Sequence, residues 1–242
     1  MKVYAVTDVG MKRSMNQDSF LCHEEPLGIL PNCFIIADGM GGHNAGDYAS
    51  RYVIDSVASS FRSTKKRTKI QAIEEAVRVA NEGIVRKGSE MKELEGMGTT
   101  FVMVTIDEDD TVLAANIGDS RLYLVSDNKI RQISMDHSLV AEMVRKGEIN
   151  KEGARYHPQK NVVLRAISTR EVVSPDFYEF KVKPGDYCLL CSDGLSDMLD
   201  EVEMLKVINE YEDVSDISER MITLANENGG KDNITLILIK IE

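Results

Sequence analysis

Apolar and polar positions along this chain follow two periods. Val3–Val6 and Phe34–Ala37 are short apolar runs that predict strands, the second leading straight into Asp38-Gly39. Ala45–Phe61 and Ile70–Met91 have helical spacing, with Lys65-Lys66-Arg67 as a solvated loop between them. Thr100–Ile106, Thr111–Asn116, Arg121–Val125 and Lys129–Ile133 alternate or run β-branched and apolar, which predicts strands. Short polar turns separate them: Asp107–Asp110, Gly118-Asp119-Ser120 and Asp127-Asn128. These spacings fit antiparallel hairpins, because a parallel pair needs a crossover of about a dozen residues or more. Ser138–Lys146 predicts a helix stopped by Gly147, and residues 148–175 read as polar and irregular. Phe177–Val182 and Tyr187–Cys191 predict strands around Pro184-Gly185. Leu195–Asn209 and Ser215–Asn228 predict helices, the second ending at Gly229-Gly230, and Ile234–Ile241 a last strand. Dominant hairpins with intervening helices imply an α+β fold with antiparallel sheets. No repeat or linker marks a boundary, so residues 1–242 read as one domain.

Composition narrows the function classes. With 43% apolar and 29% charged residues the chain is globular. Its 29 basic and 40 acidic residues give a net charge of −11, which argues against nucleic acid and acidic membranes as partners. No Trp and 6% aromatic residues argue against a base-stacking platform. No run of about 18 apolar residues is present and MKVYAVTDVGMKRS carries no apolar core, so neither a membrane span nor a signal peptide is expected, and the expected location is the cytoplasm. Four cysteines make no disulfide framework. Cys188 and Cys191 have metal-pair spacing, but on a strand they face opposite sides and read as buried thiols.

The chemistry signal lies in aspartates at strand ends beside glycine. Asp38-Gly39 and Asp193-Gly194 each follow a predicted strand, Asp119 sits in a Gly-Asp-Ser turn, Asp232 precedes the last strand, and Asp18 follows the first. Asp-Gly is also ordinary turn chemistry. Five such carboxylates converging would instead form an oxygen-rich site for hard divalent cations, approached closely by glycine backbone. Arg13 places one guanidinium near Asp18 and suits bidentate phosphate recognition, or else a surface ion pair. Gly39–Gly46 is glycine-rich at a helix start, yet lacks both the P-loop lysine and the dinucleotide fingerprint.

Taken in order, Arg13-x-x-Asn-Gln-Asp18, Asp38-Gly-Met-Gly-Gly42, Gly98-Thr-Thr100, Gly118-Asp-Ser-Arg121, Ser192-Asp-Gly194 and Gly230-Lys-Asp-Asn-Ile-Thr235 span essentially the whole chain. This series resembles the metal-dependent protein phosphatase family (PPM, protein phosphatase type 2C), in particular its compact bacterial serine/threonine phosphatases. The resemblance implies a four-layer αββα sandwich of two antiparallel sheets flanked by helices. It implies that Asp38 bridges two divalent ions, Mn2+ or Mg2+, that the Gly39 carbonyl binds one, and that Asp193 and Asp232 hold the other. Asp18 would support the site through water, Asp119 with Asp193 can hold a third ion, and Arg13 would grip the substrate phosphate. A hydroxide bridging the core ions would then hydrolyse phosphoserine and phosphothreonine monoesters. Residues 138–168 match a mobile flap beside the site. The implied partners are phosphorylated proteins and a cognate Ser/Thr kinase, with the chain a monomer.

Two positions depart from the family pattern. Met40 stands where many members carry a histidine, which leaves His43 as the nearest candidate proton donor, beside a packing or capping role. Arg165-Ala-Ile-Ser168 replaces Arg-Ala-Leu-Gly at the expected flap hinge. Other readings fare worse. No cysteine is followed by Arg at the Cys-x5-Arg spacing of cysteine phosphatases. Asp107-Glu-Asp109-Asp-Thr111 resembles the haloacid dehalogenase nucleophile motif, but a strand follows at once where that motif needs a helix. A binding module without turnover would have lost a metal ligand, and all matched aspartates are present.

Overall fold

The computed structural model describes residues 1–42, 45–168 and 173–242. His43 therefore lies outside the described residues. In chain order the elements are β1 (Lys2–Asp8), β2 (Asp18–His23), β3 (Cys33–Met40), α1 (Ala45–Ser63), α2 (Lys69–Glu90), β4 (Gly98–Thr99), β5 (Phe101–Ile106), β6 (Thr111–Ile117), β7 (Arg121–Ser126), β8 (Lys129–Gln132), α3 (Leu139–Arg145), α4 (Lys151–Arg155), β9 (Ile167–Ser168), β10 (Asp176–Lys181), β11 (Tyr187–Cys191), α5 (Asp193–Ser196), α6 (Glu201–Glu210), α7 (Val214–Glu227) and β12 (Ile234–Lys240).

The strands form two antiparallel sheets, one ordered β1-β12-β11-β7-β8 and the other β10-β6-β5-β3-β4-β9 with β2 paired to β3. Strand alternation then makes three cores. Phe34, Ile36, Val102 and Val104 of one sheet meet Leu122, Cys188, Leu190 and Ile237 of the other. Ile35, Ala37 and Met103 face α1 and α2, through residues such as Val53, Phe61, Ile73 and Ala80. Leu189, Cys191, Leu236 and Leu238 face α5, α6 and α7. The layers are thus αββα, and Cys188 and Cys191 point into different cores. Among the described residues no helix is long and apolar enough to cross a membrane.

Several local expectations are corrected. Asp18 opens strand β2, which its mixed polar sequence concealed. The Gly118–Ser120 turn is no hairpin: β6 and β7 lie in different sheets, so the turn carries the chain across the sandwich. Pro184-Gly185 likewise joins strands of different sheets, β10 and β11. The helix expected over Leu195–Asn209 divides into α5 and α6, because Asp200 and Glu203 form a reciprocal capping box that starts a new helix. Residues 148–175 contain α4 and β9, and Ser168 pairs in register with Gly98.

Asp107 sits in the β5–β6 hairpin, not on a parallel strand before a helix. It is half-buried and ion-paired with Lys69 of α2. Asp107→Asn should therefore leave phosphoester turnover near wild type and cost no more than about 1 kcal/mol of stability, the scale of a partly exposed ion pair. Loss of turnover, or a phosphoaspartate trapped at Asp107, would restore the dehalogenase reading.

Candidate metal centre

The site is the polar end of the inter-sheet core. On β3 the inner row reads Phe34, Ile36 and then Asp38, and on β2 it reads back from Cys22 and Phe20 to Asp18. The same continuation reaches Ser192 beyond β11 and Thr235 on β12. Asp18 and Asp38 are direct cross-strand partners. Asp18 is buried, and its Oδ2 accepts from Ser192 Oγ at 2.9 Å and Thr235 Oγ1 at 2.7 Å. The hydroxyls of one sheet therefore hold a carboxylate of the other.

The Gly98-Thr-Thr100 motif fixes the backbone of Asp38. Thr99 Oγ1 and Thr100 N–H both donate to the Asp38 carbonyl, at 2.8 and 2.9 Å, while Asp38 N–H donates to Thr100 Oγ1 at 2.9 Å. A Cβ at Gly39 would stand 2.1 Å from the Gly46 carbonyl oxygen and 2.5 Å from that of Gln17, so only glycine admits this approach of β3, α1 and the loop before β2. Asn233 holds the rest of that loop. Its Nδ2 donates to the carbonyls of Val9 and Met15 and its Oδ1 accepts from Gln17 N–H, each at 2.9 Å.

Arg13 projects from this loop and its Nη2 donates to Asp232 Oδ2 at 2.7 Å, so its partner in this structure is a carboxylate. That bond raises the Arg13 pKa further, with smaller contributions from Asp193 and Asp38. Asp193 heads α5, and its buried Oδ1 has no hydrogen-bond partner. Asp119 is buried in the turn between the sheets. It shares with Asp193 the wall of a cavity of about 640 Å3, closed on the far side by Val140 and Val144 of α3 and Arg155 of α4.

Like charges and burial dominate the electrostatics. Asp38 is pushed well above the usual carboxylate range by removal from water and then by Asp18, Asp193, Asp119 and Asp232. Asp193 is raised similarly by burial and then by Asp119, Asp197 and Asp232. Burial raises Asp18 to about 6, against the hydroxyl bonds that pull it down. Burial and neighbouring Asp136 raise Asp119 to about 7. Such an array is suited to divalent cations: the donors are hard oxygens, and Asp193 Oδ1 lacks any other partner. Among the described residues no three His, Cys, Asp or Glu side chains are gathered tightly enough to hold an ion unaided. Small hard cations keep several waters, so one ion need not draw three carboxylates from the protein.

Thus Arg13, Asp18, Asp38, Gly39, Asp193 and Asp232 come together, and Asp119 joins them from the cavity wall. The motif reading missed Asp197, Asn233 as a clamp, and Asp136. Asp197 was the most accessible of these, lying four residues after Asp193, where its N–H closes one helical turn onto the Asp193 carbonyl at 2.8 Å. Lys160 pairs with the Asp197 side chain and Arg155 Nη2 donates to its carbonyl at 3.1 Å, which ties residues 138–168 to the site.

A double-sheet sandwich with acids gathered at one end and Arg13 beside them suits a hydrolase that handles a phosphate ester with divalent metal. The chain belongs to the protein phosphatase 2C family, whose family model matches residues 11–238. It is 38% identical over 243 residues to the serine/threonine phosphatase stp of Listeria welshimeri, covering 97% of this chain and 93% of that one. It superposes on the Streptococcus agalactiae serine/threonine phosphatase with a TM-score of 0.91 and 34% identity, covering 100% and 99% of the two chains. It also matches the catalytic domain of the phosphatase PstP in complex with two manganese ions, at TM-score 0.85 and 32% identity, covering 100% and 98%.

The raised carboxylates set the sign of a pH effect. Between roughly pH 4, where an unfolded Asp titrates, and the folded values of about 6 for Asp18 and about 7 for Asp119, the folded state holds protons that the unfolded chain has released. Their stabilisation is complete below that window and is lost as pH rises through it. In chelator, the Tm should therefore be higher at pH 5 than at pH 8, and Mn2+ should raise it more at pH 8. Scanning calorimetry decides, and a Tm in chelator that climbs from pH 5 to 8 contradicts the argument.

Proposed function

We propose that the chain is a metal-dependent protein serine/threonine phosphatase that removes phosphate from phosphoserine and phosphothreonine. The observation that carries this reading is the convergence of Asp18, Asp38, Asp119, Asp193 and Asp232 on one site with Arg13 beside them. Asp38, Asp193 and Asp232, with the Gly39 carbonyl, would hold two divalent ions, Mn2+ or Mg2+, and Asp119 with Asp193 would hold a third more loosely. The manganese-bound PstP relative supports manganese for the core pair. When bound, such ions neutralise phosphate charge and make water a competent nucleophile at neutral pH.

The remaining work falls to the chain. Asp18, with Oδ2 saturated by Ser192 and Thr235, keeps its cross-strand partner Asp38 aimed at the opening. Arg13, which here donates to Asp232, has the planar fork that would grip two non-bridging oxygens of a substrate phosphate in place of that carboxylate. Hydrolysis breaks the bond between phosphorus and the Ser or Thr oxygen, adds the water's oxygen to phosphorus, and returns one proton to the leaving oxygen. His43 remains a candidate for that proton. Residues 138–168 act as a flap whose α3 and α4 wall the cavity and select substrates. Residues 1–242 act as one domain and as a monomer in the cytoplasm, where the four free thiols remain reduced. A Ser/Thr kinase supplies the phosphoproteins that it reverses.

Purified protein should hydrolyse a phosphothreonine peptide with Mn2+ and be silent in excess chelator. Asp38→Asn should lose at least about 10²-fold in kcat, since one charge serves both ions. Full activity in chelator would sink the reading. Arg13→Ala should raise KM for phosphopeptide at least about tenfold, with metal affinity not reduced, and Arg13→Lys should recover only part because it lacks the fork. An unchanged KM with a collapsed Tm would make Arg13 structural.

A further inference from the structure

The mechanism above makes no use of His137, which is buried between β8 and α3. Its contacts are specific. The His137 N–H donates to the Gly118 carbonyl at 2.9 Å, and Gly118 N–H donates back to His137 Nδ1 at 3.0 Å. Asn116 Nδ2 adds a second bond to that carbonyl at 3.2 Å. One residue thus grips both polar backbone groups of the glycine preceding Asp119. The turn runs between two sheets, so no strand ladder satisfies these groups, and buried backbone must be paired.

The Gly118 donor also assigns the tautomer: Nδ1 carries the lone pair and Nε2 the proton. Nε2–H then donates to Asp176 Oδ2 at 2.9 Å, while Arg165 Nη2 donates to Oδ1 of the same carboxylate at 2.9 Å. Arg165 Nη1 also stands 3.0 Å from Nε2, which in this tautomer is a contact between donors bridged by Asp176. Burial pushes the His137 pKa down, in keeping with a neutral ring. Leu164 N–H donates to the His137 carbonyl at 2.7 Å. His137 therefore joins the turn, through its ring and backbone, to both ends of residues 138–168: it precedes Ser138 in the chain, its carbonyl takes Leu164 N–H, and its ring meets Arg165 through Asp176.

The turn has no slack on its other side. Gly118 has φ +105°, and a Cβ there would lie 2.6 Å from Thr100 Cγ2. Thr100 Oγ1 is 2.7 Å from Ser120 Oγ and accepts the Asp38 N–H. A displaced turn would disturb Asp38 as well as Asp119.

We propose that His137 is a positioning residue, which sets the Gly118–Asp119 turn from the root of the 138–168 segment and so aims the Asp119 carboxylate. The proposal rests on the role given above to Asp119.

Four measurements test it. Long-range proton–nitrogen spectra of the metal-free protein should show a bare Nδ1 and a protonated Nε2; a proton on Nδ1 overturns the proposal whatever the variants do. Gly118 amide exchange should be slow in the wild type, about tenfold or more faster in His137→Ala, and slow again in His137→Asn, whose Oδ1 replaces Nδ1 as acceptor. With phosphopeptide, kcat should fall about tenfold to a hundredfold in His137→Ala, the scale of a small misplacement, with KM within about twofold and recovery in His137→Asn. In an Asp119→Ala background, His137→Ala should cost clearly less than it does in the wild type, the remainder being the disturbance passed to Asp38 through Thr100. Fully multiplicative losses overturn the proposal, as does wild-type kcat in His137→Ala with Gly118 exposed. If His137→Ala does not fold, His137→Asn decides, and a protected Gly118 with lost kcat overturns it. Wild-type activity in Asp119→Ala removes the role of Asp119 and the catalytic half of this proposal, whereas an unprotected Gly118 in the wild type removes the brace itself, so the two failures are told apart.

Discussion

Carboxylates crowd one end of a β-sandwich, and their mutual repulsion is the constraint to which the rest of the molecule answers. Two like charges about 4 Å apart at an effective dielectric of 20 repel by about 4 kcal/mol, while a whole domain is stable by roughly 5–15 kcal/mol. Burial and several neighbouring carboxylates together push Asp38 and Asp193 well above the usual carboxylate range. A fold can carry that load only if apolar packing elsewhere is sufficient and if each acid is held where relaxation is denied. The three cores provide the packing. Asp18 shows the second device, because bonds from two hydroxyls of the opposite sheet fix its direction. Asp193 Oδ1 shows the opposite case, a buried acceptor left without a partner. Left so, that oxygen is a cost; beside a divalent cation it is a ligand.

Anchoring extends well beyond the acids. Asn233 ties the first loop to the last strand, spanning more than 200 residues of sequence, and Arg13 is carried on that loop. Thr100 links Asp38 to the turn that bears Asp119. Arg121 and Asp136 form a multidentate pair beside that turn, and Asp136 in turn raises the Asp119 pKa. Rotating the Asp18 side chain, or displacing the backbone that carries Asp38, would therefore break bonds to more than one element at once.

How legible this was depended on period and range. Phe34–Ala37 and Ile234–Ile241 announced themselves as buried strands, and the Asp-Gly steps after strands marked the site. β2 did not, because Asp18-Ser19-Phe20-Leu21-Cys22-His23 lacks clean alternation when one face meets a polar site. The turn at Gly118–Ser120 was misread for a geometric reason: a short polar link between strands says hairpin, and nothing local tells whether the next strand joins the same sheet or the facing one. Asp197 and His137 were passed over because their meaning comes from partners far away in sequence, Lys160 for one and Gly118 and Asp176 for the other. The Arg13–Asp232 pair is of the same kind, since 219 residues separate its members.

A site at the end of a sandwich also limits what the protein can offer a metal. Only residues at strand ends and in crossovers reach it, and each contributes a single carboxylate. No three acidic or soft ligands gather closely among the described residues, so water and substrate must complete any coordination. Chemistry is thereby separated from selection. On the proposed reading the strand ends would fix the cations, while discrimination between substrates would fall to the walls outside: Arg13 on one side, and across the cavity α3, α4 and the start of α6. Those walls are short helices joined by irregular chain, and the two sheets do not include them. Their hold on the centre runs through a few polar contacts, Lys160 and Arg155 to Asp197 and the His137–Asp176–Arg165 chain to Gly118. Residues 138–168 are thus fastened at points, by those polar contacts and by the β9–β4 pairing of Ile167 and Ser168 with Thr99 and Gly98, while the connecting chain between those points is the kind of surface segment that tolerates sequence change.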